Sequence, residues 1–386
     1  MRNQIWALAL AMMVGAMGIS IANVALPDIA RAFGVTAQGA NRVSVVYLAA
    51  VTVAAVLVGR IGDRFGRGRV LRAALIGFAG ASVLAALSPT MGALIAARAV
   101  QGVFGAALMV LSVGLVRQVS GPARSGRMFG ALGSMSALGT AAGPVIGGVL
   151  VDISGWRACF WALAGLAVVA GGIARIPDGA SPVRGGQGAP RGLWVGYLAN
   201  LGVAAVMMGT LVVGPFFLSF GAGLSARMVG MVMAVGPVMS IIGGVMAGRA
   251  VDRFGAGPVA RVGLWLVAAG CFTLALLSPV WGVLGYLIGI AVLTPGYQLF
   301  QAGNTSAVMS RAPEGAQGGV AGTLGVARNL GLLIGAWGFG ALFTHALGGL
   351  PVQSAGAGEI GDAVRVVFLV ACVWMIGLGG LLWRRA

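Results

Sequence analysis

Gly130-Ala-Leu-Gly-Ser-Met-Ser-Ala-Leu-Gly139-Thr-Ala-Ala-Gly143-Pro144-Val-Ile-Gly147-Gly148 sets six positions at the spacing G-x8-G-x3-G-P-x2-G-G inside one apolar stretch. Gly139, Gly143 and Gly147 recur every four residues, so on a helix they share one face and let a neighbouring backbone approach closely in lipid. Pro144 removes one backbone donor within that face and clashes with the preceding turn, which predicts a bend. A lone glycine stripe reads as tight helix packing and nothing more. The six positions together point to a bent, glycine-faced transmembrane helix that can rock against its partner.

Composition reaches the same class independently. Hydrophobic residues make up 59% of the 386 positions and charged residues 9%, with a mean hydropathy of +0.98, far beyond what a soluble core needs. Twelve apolar stretches are long enough to cross a hydrocarbon layer, which takes about 20 helical residues. They run Ile5–Leu26, Arg42–Gly59, Val70–Leu87, Gly92–Val116, Met128–Val151 and Trp156–Ala174, then Leu193–Ser219, Arg227–Gly248, Val259–Ser278, Trp281–Ala307, Gly318–Thr344 and Ala363–Trp383. The first has the basic start of a secretory leader, but its apolar run continues to Pro27 and is too long for one, so it is read as a retained helix.

All twenty-five basic side chains are arginines. With both termini set in the cytoplasm, eighteen fall on that side; only Arg31, Arg42, Arg157, Arg227 and Arg365 lie outside, and Arg98 and Arg328 lie within helices. This bias is the positive-inside signature and makes the formal charge of +17 a topology signal. The arginines are scattered over short loops without interleaved aromatics, so nucleic acid is not an expected partner. Cys159, Cys271 and Cys372 fall in apolar stretches, where a thiol behaves as a small hydrophobe, and no disulfide framework is implied.

The chain also repeats. Gly59, Asp63, Arg64, Phe65 and Gly66 recur as Gly248, Asp252, Arg253, Phe254 and Gly255, an offset of 189 residues. Between the halves, Pro177–Gly192 is rich in Gly, Pro and Arg without hydrophobic period and reads as a linker. The expected organisation is a six-helix bundle over 1–176, a cytoplasmic linker over 177–192 and a second six-helix bundle over 193–386. Such doubled bundles build sites near the membrane midplane that open to either side.

These residues carry a specific resemblance. Gly59-Arg60-Ile61-Gly62-Asp63-Arg64-Phe65-Gly66-Arg67-Gly68-Arg69 is similar to the loop between helices two and three of the major facilitator superfamily. Gly130–Gly148 resembles that superfamily's antiporter motif in helix five, and Leu94–Ala107, with Arg98, Gln101 and Gly102, resembles its helix-four motif. The likeness covers essentially the whole chain and is closest to the drug:proton antiporters. Ile21–Pro27 and Arg328-Asn329-Leu330-Gly331 look like the fourteen-helix branch, whose central helix pair this twelve-helix chain lacks. The resemblance implies an all-α integral membrane fold of two pseudo-repeated six-helix bundles. It further implies that the loop motif, through Gly59, Asp63, Arg64, Gly66, Arg67 and the degraded copy at Asp252 and Arg253, acts as a conformational latch, and that Arg98 couples substrate and proton movement.

The residues themselves suit parts of that role. A carboxylate at Asp63, near a helix end among basic groups, can pair in one state and be released in another; the alternative is a solvated basic loop that only sets topology. Arg98 stands about two turns into its helix, where a charge is expensive and faces a cavity or a partner, with Gln101 one turn further along the same face. Arg328 lies near the bilayer middle of the eleventh stretch, where it either serves a site, snorkels or binds backbone carbonyls.

All eight acidic residues fall at helix ends or in loops, so no carboxylate sits mid-membrane. In the similar first-helix motif an acid stands where this chain has Gly18, and a tryptophan stands where it has Arg42, departures that weaken a cation-export reading. Asp28 is a candidate proton carrier if its helix runs past Pro27, against a plain helix-end acid; His345 is a weaker one. The resemblance puts helices one, four, seven and ten around the cavity, where Asn23, Gln101, Asn200, Thr210, Tyr297, Gln298, Gln301 and Asn304 offer neutral polar groups. With Arg98 they favour neutral or anionic solutes.

Gly255-Ala256-Gly257-Pro258 is a dinucleotide loop only superficially, since no strand precedes it, and no Walker loop is present. The expectation is therefore a non-enzymatic, cofactor-free secondary exporter of small amphipathic drugs or toxic metabolites. It would be driven by proton influx and act as a monomer in a bacterial inner membrane. The alternatives are an exporter of a neutral or anionic metabolite such as a sugar or organic acid, and a transport-dead sensor or assembly partner.

Overall fold

The computed structural model describes residues 2–120, 125–173, 193–312 and 317–383. The expected linker at 177–192 lies outside the described residues. Among those described, the chain is all helix. It comprises α1 (Arg2–Phe33), α2 (Ala37–Phe65), α3 (Arg67–Ala86), α4 (Met91–Ser120), α5 (Ser125–Ser154), α6 (Arg157–Ile173), α7 (Trp194–Phe216) and α8 (Ala226–Phe254), followed by the run Ala256–Ser310 and by Gln317–Ala346 and Ala357–Trp383. A run of 55 residues would be about 80 Å long at 1.5 Å per residue, far more than one bilayer crossing. It breaks at Gly282, whose backbone leaves the helical region (φ 56°, ψ −125°). We therefore number its limbs α9 (256–281) and α10 (283–310), and the last two helices α11 and α12.

The limbs fold back on each other. A Cβ on Gly270 would fall 2.6 Å from the Leu293 Cα, one on Gly303 2.6 Å from the Ala260 nitrogen, and one on Gly289 2.5 Å from Leu274. These pairings run in opposite directions along the two limbs, so small residues let an antiparallel pair close tightly.

The sequence repeat is a structural one. Helices α2 and α8 each have 29 residues, and their starts, Ala37 and Ala226, keep the offset of the motifs. Each ends on a single left-handed glycine, Gly66 (φ 90°) and Gly255 (φ 85°), and the next helix starts at the following residue. What the sequence suggested as a loop is thus a one-residue break. Hydropathy falls at Gly59, but the helix persists for six more residues because its charged last turn reaches a polar layer. Likewise α1 continues beyond Pro27 to Phe33, since an internal proline removes only one backbone bond.

The described residues group into two compact units, one of Met1–Gly34, Ala40–Val183 and Ser225–Met231, the other of Val35–Gly39, Arg184–Leu224 and Val232–Ala386. Within the first, α1 packs most extensively on α5 and also on α4 and α6, and α3 lies against α4 and α6. Within the second, α7 packs on α11, and α12 on the α9–α10 run. Large apolar side chains such as Ile76, Val168, Val280, Trp337 and Val373 are exposed, whereas Asn23, Arg98, Gln101, Asn200 and Asn304 are buried. Polar groups inside and apolar groups outside are the arrangement lipid requires.

Candidate functional site

Arg98 is completely buried, seven residues into α4. An isolated charge there would be prohibitive, so its donors are distributed over the surrounding helices. Nε donates to the Val43 carbonyl of α2 at 3.2 Å. Nη2 donates to the Gly18 carbonyl of α1 at 3.1 Å, and Nη1 donates to Oε1 of Gln101. Gln101 in turn donates from Nε2 to Ser82 Oγ at 2.6 Å, and Ser82 to the Phe78 carbonyl at 2.7 Å. The guanidinium carbon lies 4.0 Å from the Tyr47 ring centre and 5.7 Å from that of Phe160. Every acceptor described for Arg98 is uncharged, so dipoles and aromatic faces hold the charge.

Gly102 has a packing reason of its own. A Cβ there would come 2.5 Å from the Tyr47 carbonyl, so it sets how closely α4 approaches α2. The sequence reading found Arg98, Gln101 and Gly102 but missed Tyr47 and Ser82. A tyrosine in an apolar run, one of only four in the chain, was the available signal, because its hydroxyl needs a buried partner.

The glycine stripe of α5 lies on α1. A Cβ on Gly139 would strike the Met13 carbonyl, one on Gly143 would strike Ser20 Oγ and stand 3.0 Å from the Ile21 nitrogen, and one on Gly147 would lie 2.9 Å from Ile21 Cγ1. Ser20 also donates to the Gly139 carbonyl at 3.4 Å. Gly148 looks elsewhere, towards the opening turns of α8 that belong to the same compact unit, where a Cβ would lie 2.6 Å from the Ala226 carbonyl oxygen. Pro144 lies within the continuous α5 helix. Gly130 is helical too, but its surroundings lie outside the described residues.

At the repeat motif, Arg64 stands over Phe65 at 5.4 Å and Arg253 over Phe254 at 5.2 Å. Arg67 turns inward instead. It is 8% exposed and donates from Nη1 to the Gly114 carbonyl of α4 at 2.8 Å. Gly114 leaves room for that contact, since a Cβ would come 3.1 Å from the same Nη1. Gly59 has open space around it, and Asp252 is exposed in the last turn of α8. Asp63 occupies the last turn of α2, with the surroundings of its side chain outside the described residues.

Asp28 is half-buried, and its Oδ2 accepts the backbone N–H of Trp156 at 3.2 Å, just ahead of α6. Trp156 packs on Phe33 and under Arg157, and Arg157 donates to the Ser88 carbonyl at 3.1 Å. This carboxylate therefore caps a helix start across 128 residues of sequence. His345 is exposed in the last turn of α11.

The neutral candidates mostly join helices. Asn23 accepts from Ser44 Oγ at 2.7 Å and donates to the Ile19 carbonyl. Asn200 donates to Leu324 at 2.9 Å, Asn304 to Gly196 at 3.0 Å and Gln298 to Ser240 at 2.6 Å, all through backbone carbonyls of other helices. Thr210 bonds within its own helix, to Met207. Gln298 and Gln301 come together in a recess of about 460 Å³ within the second unit, with Gly244, Thr305, Ser306 and Met309. Tyr297 is half-buried on α10, and Arg328 is half-buried in α11, 11 residues or about 16 Å from its start.

Comparison with known proteins agrees with this architecture. The chain is 26% identical to the transporter YebQ of Escherichia coli over 82% of its own length and 83% of that protein's. It is 27% identical to the multidrug efflux pump LfrA of Mycolicibacterium smegmatis, over 93% and 86% of the two chains. A tetracenomycin C resistance and export protein of Streptomyces glaucescens is 32% identical over 46% of this chain, which spans only 34% of that longer relative. The solved structure of a bacterial homologue of the lysosomal transporter Spinster superposes with a TM-score of 0.81 over 98% of this chain and 95% of that one, at 16% identity. The model of the Major Facilitator Superfamily matches residues 8–336. Twelve helices in two repeated sets among the described residues, a buried arginine on α4 held by groups of α1, α2 and α6 and that match together make the chain a member of the Major Facilitator Superfamily, a multi-pass membrane transporter of small molecules.

Proposed function

We propose that this transporter exports small amphipathic drugs or toxic metabolites by alternating access, in exchange for inward-moving protons. The observation that carries the reading is the double attachment of α1. Its Gly18 carbonyl is held by Arg98, while two residues further on Ser20 and Ile21 lie on Gly143 and Gly147 of α5. A shift of the arginine on substrate or proton binding is thereby passed to a glycine-faced helix contact that can slide. The names of the two exporting relatives support drugs or antibiotics as cargo. In this reading Asp63, Arg64 and Arg67 form a latch, with Asp252 and Arg253 its weaker copy. The arginine distribution supports cytoplasmic termini in a bacterial inner membrane, and the protein works as a monomer of two six-helix bundles.

A second reading, export of a neutral or anionic metabolite with or without protons, is favoured by the uncharged lining of the α10 recess and by the absence of a mid-helix carboxylate among the described residues. One assay separates the two. A pH gradient formed in everted vesicles is challenged with cationic, neutral and anionic compounds, comparing wild type with Arg98→Ala. Collapse by lipophilic cations that is lost in the mutant is the result expected of drug:proton exchange. An intact gradient while labelled neutral or anionic solutes still move sinks that reading in favour of the metabolite exporter. Retained binding with no flux of any compound would indicate a sensor.

A further inference from the structure

We propose that Tyr47 is the positioning residue of Arg98, its ring taking the place of a counter-ion. This rests on the reading of Arg98 as a transport residue and adds to it the group that holds the guanidinium in place. Three observations converge on Tyr47. Its ring lies 4.0 Å from the guanidinium carbon, closer than any other aromatic centre described around Arg98. Its hydroxyl donates to the Gly15 carbonyl of α1 at 3.2 Å, which fixes the ring plane. The residue is fully buried in a socket cut by glycines, for a Cβ on Gly18 would come 2.8 Å from the hydroxyl oxygen and one on Gly105 would strike it.

That socket explains why position 18 has no side chain. Any group on Gly18 would enter the space the Tyr47 hydroxyl fills beside Arg98. A buried cation without a carboxylate needs a negative surface that does not itself bring charge into the membrane, and the face of an aromatic ring is one. Beside the more distant Phe160 ring, the remaining contacts described for Arg98 are directional hydrogen bonds to α1, α2 and α4. The ring contributes a plane along which the guanidinium can slide without losing its attraction, and this suits a residue whose partners exchange during transport.

The test uses the full chain in proteoliposomes, in three forms: wild type, Tyr47→Phe, and position 47 carrying 3,4,5-trifluorophenylalanine, which keeps the ring's shape while removing the negative character of its face. The first readout is phenylglyoxal modification of Arg98, followed by peptide mass, and needs no transported substrate. Tyr47→Phe, which keeps the ring face but loses the bond to Gly15, should react no more than about twofold faster than wild type, and the trifluoro form about tenfold faster than Tyr47→Phe. Equal rates in Tyr47→Phe and the trifluoro form would overturn the proposal, as would a lower melting temperature of the trifluoro form that accounts for its faster reaction by loosened packing. The second readout is ethidium export under an imposed pH gradient, with Arg98→Ala alongside. The expected result is a fall in kcat with unchanged KM in the trifluoro form. Wild-type export by Arg98→Ala would instead overturn the reading of Arg98 itself, and wild-type kcat in the trifluoro form with Arg98→Ala inactive would overturn the role of Tyr47 alone.

Discussion

Arg98 Nη2 donates to the backbone carbonyl of Gly18 at 3.1 Å, joining residues 80 positions apart on α4 and α1. A carboxylate at position 18 in reach of the guanidinium would have made this an ion pair. A carbonyl instead leaves the site with its full positive charge and ties that charge to the backbone of a helix that also lies on α5. Arg98 is therefore bound to the relative position of the helices and not to a flexible counter-ion.

Replacing Arg98 should separate transport from folding. Arg98→Met removes a buried charge but leaves the Gly18 and Val43 carbonyls and Gln101 without their donor, and each buried polar group left unpaired costs about 1–3 kcal/mol. The thermal unfolding midpoint of the purified protein should therefore fall by several degrees with the folded state retained, while export falls at least about a hundredfold, roughly 3 kcal/mol. Arg98→Lys should not restore export, since one ammonium cannot reach acceptors on three helices in the fork geometry of a guanidinium.

Alanine substitutions along the glycine motifs should be graded by what the new methyl meets. Gly139→Ala and Gly143→Ala drive a Cβ into Met13 and Ser20 and should destabilise by about 1–3 kcal/mol, as overpacking does. Gly59→Ala meets nothing within 4 Å and should be neutral. Unfolding midpoints in detergent check the order; equal midpoints for Gly143→Ala and Gly59→Ala would contradict the described packing.

Asp28 gives a clean choice between cap and proton carrier. As a cap it needs only an acceptor for the Trp156 N–H, so Asp28→Asn should keep both stability and pH-gradient collapse, whereas Asp28→Ala should lose about 1 kcal/mol. Loss of gradient collapse in Asp28→Asn, with stability kept, would make this carboxylate the carrier.

The arginines of the repeat motif should not be equivalent. Arg67→Ala breaks the buried bond to the Gly114 carbonyl and should destabilise by about 1.5–3 kcal/mol, while exposed Arg64→Ala should have little effect on stability. Gly66→Ala and Gly255→Ala should each cost about 1–2 kcal/mol through their left-handed backbone. Chemical unfolding of the four variants measures both comparisons.

The membrane class, the twelve spans, the repeat and the positions of the motifs were legible in the sequence because each is a local property. Hydrophobic length, glycine spacing and an offset of 189 residues can be counted along one strand of text. Helix ends were less so, since hydropathy reports where lipid stops and backbone geometry reports where the helix stops. At Gly59 and Gly66 these differ by almost two turns.

The tertiary structure alone decided what the buried polar groups do. Asn23, Asn200 and Asn304 bond to neighbouring helices, Gln298 bonds to α8 while also lining the recess of the second unit, and Asp28 caps α6. Arg98 found Val43, Gly18 and the face of Tyr47, none of which its own segment announces. A sequence prescribes which groups must be satisfied once buried; which carbonyl or ring satisfies them depends on how closely helices approach. That approach is set by glycines such as Gly102 and Gly143 acting across distances that periodicity does not encode.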